Sequence, residues 1–166
     1  MSLTLAGVGA VAAALLEFSV APYFRVGGAQ PDLVLVFAVV WTMIVSFEGG
    51  MVWAFIGGLT TDLLGSSPLG ITVFSLLVVV ALAALIGHFL PRARYLSPIV
   101  VVLLLSVVNA LLVFFLYGAL SGPVHAPGAL DAVLPGAAYN GAIALVVAPL
   151  MALAHARFAE QERIDW

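Results

Sequence analysis

The sequence predicts an all-α integral membrane protein of six transmembrane helices with both termini cytoplasmic, and three observations carry that prediction. Of 166 residues, 64% are hydrophobic and 8% charged, where a soluble domain carries about 25% charged residues. The apolar sequence falls into six stretches separated by Pro- and Gly-rich breaks, close to the ~20 residues needed to cross a bilayer. The five basic residues, all Arg, are unevenly divided between the two sets of connections. At this length, six spans leave no room for a soluble domain, so residues 1–166 read as one transmembrane domain. A net charge of −3 without lysine excludes a nucleic-acid footprint, and the absence of cysteine excludes disulfides and thiolate metal sites.

Each element follows from local signals. The first helix covers about residues 3–20; it lacks the basic n-region of a secretory signal and contains Glu17, so it is expected to be retained. It stops at Ala21-Pro22, and a Gly-rich loop leads to Pro31-Asp32. A Pro and an acid in the first turn open helix 2, about 32–47. Glu48-Gly49-Gly50 reads as a tight break before helix 3, about 51–64, which the run Gly65 to Gly70 closes. Helix 4 spans about 71–90 and ends at Pro91-Arg92-Ala93-Arg94; helix 5 covers about 98–120. The longest connection, Ser121 to Gly136, holds three Pro and three Gly, with Leu130 to Leu134 as a candidate interfacial turn. Helix 6 is expected over 137–154, before a polar tail.

Arginine stays preferentially in cytoplasmic loops. Six helices collect Arg92, Arg94, Arg157 and Arg163 on the side of both termini and leave Arg25 alone on the other. Acids then divide evenly. Glu48, Glu160, Glu162 and Asp165 balance the inner arginines, while Glu17, Asp32, Asp62 and Asp131 place the whole net charge on the outer half.

An ionisable group within a span costs about 2.5–3.5 kcal/mol, so each is a candidate functional residue. Asp32 heads helix 2, where a carboxylate can cap free amides. Asp62 lies on the stripe Gly50, Ala54, Gly58, Asp62, small residues at four-residue spacing that let another helix approach. At the C-terminal end of its helix it needs a donor: Thr60, Thr61, Ser66, Ser67, loop amides or Arg25. It either ties the Gly65–Gly70 turn to its helix or binds something. Glu17, four turns into helix 1, needs a partner such as Arg25, Asn140 or another protein. His88, His125 and His155 share no helix face, so no metal site is expected. No nucleophile elbow occurs. Asp32 and Asp62 could form a carboxylate pair, but the chain lacks the Asn, Arg and acid-rich blocks of lipoprotein signal peptidases. Neither enzymatic activity nor a cofactor is expected.

From helix 2 to helix 4 the pattern Pro31-Asp32-Leu33-Val34-Leu35, then Gly58-Leu59-Thr60-Thr61-Asp62-Leu63-Leu64-Gly65-Ser66-Ser67-Pro68-Leu69-Gly70, resembles the rod shape-determining protein MreD family. A polar residue late in helix 1 (here Glu17, commonly Gln), Asn140-Gly141 near the start of the last helix and the following Pro149 agree. The tail is mixed in charge where the family's is basic. The resemblance implies a non-enzymatic scaffold, in the bacterial inner (cytoplasmic) membrane, of the cell-elongation machinery that serves peptidoglycan synthesis. It implies binding to MreC, and work alongside RodA with its class B penicillin-binding protein and MreB. It also implies a fold similar to the S-component of energy-coupling-factor transporters, so a substrate-binding S-component of a vitamin transporter is the alternative function. The residues carried over as structural or partner-binding candidates are Glu17, Pro31, Asp32, Gly58, Asp62, Pro68, Gly70 and Asn140.

Overall fold

In lipid a single chain segment satisfies its backbone polar groups only as a helix, and the computed structural model folds this apolar chain into helices. It describes residues 3–24, 29–65, 68–89, 97–121 and 133–161. Helix α1 (Leu3–Val20) ends in a 3-10 turn, Ala21–Phe24; α2 is Leu33–Ile44. The third rod, α3, is continuous but composite: Phe47–Val52, a π-helical turn Trp53–Gly57, then Gly58–Leu64. It is followed by α4 (Ile71–Phe89), α5 (Ser97–Ser121) and α6 (Val133–Gln161). Helices α1, α4, α5 and α6 are each long and apolar enough to cross a membrane.

Helix α2 has 12 residues, about 18 Å at 1.5 Å per residue, and sits at the centre of the bundle. It packs against all five other helices, and Val34, Leu35, Val36, Ala38, Val39 and Val40 are sealed from solvent. A helix apolar all round belongs inside. Beside it Trp53 stacks on Phe37 at a centroid distance of 5.2 Å and leans on Trp41 at 5.8 Å. Leu16, Phe74, Leu104, Phe115 and Leu145 point outward from the other helices. Such a surface suits hydrocarbon, not water.

Three helices, α2, α3 and α6, have boundaries that differ from the sequence expectation. The break between α2 and α3 falls at Val45-Ser46, and Glu48-Gly49-Gly50 lies inside the first turns of α3. Ser46 Oγ accepts from the Gly49 amide at 3.2 Å and so caps the helix. The two glycines serve packing instead: a Cβ at Gly49 would overlap the Trp41 indole, and one at Gly50 the Thr42 side chain. Asp32 precedes α2 as its N-cap and does not form its first turn. Helix α6 starts at Val133, not 137, because Pro135 stands in the first turn, where no amide donor is needed. It continues through the Ala-, Arg- and Glu-containing tail to Gln161. Arg25, Ser66, Ser67, the Pro91–Arg94 break, most of the 5–6 connection with His125 and Asp131, and the last five residues lie outside the described residues.

Candidate functional site

Alternating helix directions bring six helix ends together: the C-terminal ends of α1, α3 and α5 and the N-terminal ends of α2, α4 and α6. Glu17, Asp32, Asp62 and Asn140 all lie at this end. Two polar clusters form there, and a cavity lies between them.

The first cluster is built on the start of α2. Its opening amides have no partner within the helix, and carboxylates from two places supply acceptors. The Asp32 side chain caps its own helix, Oδ1 accepting from the Leu35 amide at 2.8 Å. From α1, Glu17 Oε2 accepts from the Val34 amide at 3.2 Å. The Asp32 amide donates to Asn140 Oδ1 at 2.8 Å, and Asn140 Nδ2 donates to Ser106 Oγ at 3.0 Å. Asn109 Nδ2 reaches Asp32 Oδ2 at 3.4 Å. The neighbouring Pro31 is buried. Asn140 therefore holds Asp32, not Glu17, and with Ser106 and Asn109 the two tie the start of α2 to both α5 and α6.

Asp62 forms the second cluster. Although it ends α3, its donors come from the helix that follows: Oδ2 accepts from the Gly70 amide at 2.8 Å and the Val73 amide at 3.5 Å, and Oδ1 from the Thr72 amide at 3.2 Å. The carboxylate thus caps the N-terminus of α4 and meets the favourable end of that helix's dipole. Its expected donors Thr60 and Thr61 bond instead to the carbonyls of Ile56 and Gly57. Gly70 makes the corner possible with φ +99°, which side-chain-bearing residues avoid. The Pro68 carbonyl accepts from the Ile71 amide at 3.4 Å. Gly58 allows α3 to lie against α4, since a Cβ there would sit 2.8 Å from Val73 Cα. Gly50, Ala54, Gly58 and Asp62 are all buried.

Between the clusters is a cavity of about 430 Å³, bounded by Glu17, Asp32, Thr61, Thr72 and Asn109 and walled by Ala110, Val113, Phe114 and Tyr117 of α5. A second cavity of about 240 Å³ runs toward Asn140 and Ser106. Asp32 and Asn109 line both, so their hydrogen bond is part of the partition. The arrangement presents oxygen acceptors to a space with an apolar wall. Among the described residues no three His, Cys, Asp or Glu side chains assemble as a metal site.

Ser106, Asn109 and Tyr117 join the site without having been singled out by sequence reasoning. A signal for two of them exists: Ser106 and Asn109 are polar residues three apart in the middle of an otherwise apolar helix. Intramembrane polar groups face the bundle interior.

Comparison with curated proteins and with solved structures yields no match. A family profile, that of the rod shape-determining protein MreD, matches residues 4–156. The match covers α1 to α5 and most of α6, with both polar clusters, and the chain belongs to the MreD family.

Proposed function

We propose that this protein is a non-enzymatic scaffold of the cell-elongation machinery in the bacterial inner membrane, and that it binds the bitopic protein MreC. In this reading the chain crosses the bilayer six times, as in an S-component, with α2 a short helix enclosed by the others, both termini cytoplasmic and the Glu17 end outside. RodA with its class B penicillin-binding protein, and MreB, are the further members of the assembly. The observation that carries it is the family match over residues 4–156. The described structure adds support: the hydrogen bonds of Asp32 and Asp62 fix helix ends, as a rigid docking platform requires. Affinity purification from native membranes tests the reading. MreC in stoichiometric amount is expected, and a preparation containing a bound small molecule but no MreC would overturn it. A reporter fused after Trp166 that is active only outside the cytoplasm would overturn the topology.

One observation favours the transporter alternative. A cavity of about 430 Å³ lies in the size range of small-molecule sites. Mass spectrometry of the same purified material separates the two readings.

A further inference from the structure

The cavity of about 430 Å³ is bounded by two carboxyl groups, and none of its described lining residues is cationic. Glu17 accepts from backbone amides at the start of α2, Val34 among them; Asp32 accepts the Leu35 amide and the long bond from Asn109. Each carboxylate offers about four lone-pair directions. Beside them Asn109, only 8% exposed, has a buried Oδ1 with no hydrogen-bond partner. Its orientation is dictated by Asp32. Nδ2 faces the carboxylate, and a flipped amide would set two oxygens against each other. An unpaired buried carbonyl in a native structure calls for an explanation.

The chemistry that completes this site is a donor-only cationic group on an apolar stem. Two neighbouring carboxyl groups make the cavity unfavourable for an anion. A zwitterionic lipid headgroup would carry a phosphate, and none of the described lining residues is cationic. A lysine or arginine side chain meets every requirement: its head has donors and no acceptor, and its methylene stem packs on apolar surface such as Val113 and Phe114. We propose that the cavity bounded by Glu17, Asp32 and Asn109 binds a basic side chain from the outer juxtamembrane segment of the membrane partner. The inference rests on the assembly reading above and adds the residue chemistry of the contact.

The test places a photo-crosslinking residue at Val113 in the full-length protein and illuminates native membranes. The expected product joins Val113 to a partner peptide containing Lys or Arg. Its yield falls at least fivefold in Glu17→Gln and in Asp32→Asn, and equally when the partner's basic residue becomes Gln. Both variants keep an acceptor for their α2 amide, so protein abundance is expected to hold, which separates lost recognition from lost folding. Arg25→Gln is expected to leave the yield unchanged; a matching loss would make the chain's own arginine the occupant and overturn the inference. Crosslinks to lipid or to a small molecule, or undiminished yield in both acid variants, would also overturn it while co-purification of the partner upheld the assembly reading. If no partner is recovered at all, both fall.

Discussion

The carboxylates of Glu17 and Asp32 accept hydrogen bonds from adjacent backbone amides, Val34 and Leu35, so two acids cap one helix start. One acid belongs to that helix; the other reaches it from α1. Because α2 lies at the centre of the bundle, fixing its first turn fixes the axis around which the other helices pack. The acids that line the cavity therefore also hold the bundle together.

The two caps are separable by substitution. Asp32→Ala removes the Leu35 acceptor and releases Asn109, and is expected to cost about 1–2 kcal/mol. Glu17→Leu removes one acceptor and costs less, about 1 kcal/mol. Glu17→Gln keeps an oxygen for Val34 and should unfold with the wild type. Thermal unfolding in detergent reads all three, and an Asp32→Ala variant that melts no earlier than wild type would refute the capping role.

Asp62→Ala strips three amides of their acceptor at the start of α4. We expect a loss of about 2 kcal/mol and reduced abundance in the membrane, with Asp62→Asn intermediate. Hydrogen exchange at Gly70, Thr72 and Val73 is the direct readout. Exchange in Asp62→Ala as slow as in the wild type would show that the amides have another acceptor.

How much of this is legible in the sequence follows from the solvent. The Asp62-to-Gly70 block is legible because a carboxylate, small residues and a turn at fixed spacing have few joint uses. Its partner is not: capping the next helix requires knowing that α3 and α4 fold back on each other. The Val45-Ser46 break is hidden behind Gly49 and Gly50, whose role is to admit Trp41 and Thr42. Asn109 escapes notice for a different reason. In helices apolar on every face, hydrophobic periodicity does not separate core from lipid surface, so only the rare polar residues report orientation.

Close approach at Gly58 gives a contrast within one experiment. Gly58→Ala places a Cβ 2.8 Å from Val73 Cα, a backbone atom that moves only with α4. Overpacking of this kind costs about 1–3 kcal/mol. Gly118, where an added Cβ would meet nothing within 4 Å, should accept Ala with a change within about 1 kcal/mol. Equal melting temperatures for the two variants would mean that the α3–α4 contact is not tight in the membrane.

The π turn at Trp53–Gly57 explains how every residue of the small-residue stripe stays buried. In a regular α-helix residues four apart run ahead by about 40°, so three such steps from Gly50 would carry Asp62 a third of a turn out of line. A π turn bonds each residue to the fifth along and winds less per residue, cancelling part of that drift. Removing one residue from the turn would leave an ordinary helix in which Gly50 and Asp62 are eleven apart, about three full turns, and again aligned. Deleting Phe55, which is 53% exposed, should therefore leave a folded protein with abundance near wild type and slightly lowered thermal stability. Deleting Leu59, beyond the turn, keeps the π geometry but swings Asp62 by about 100° away from Gly70, Thr72 and Val73, and abundance should fall as it does in Asp62→Ala. Quantitative immunoblotting of membranes from the two deletion strains decides the matter, and the reverse order of abundance would show that the π turn is not a register correction.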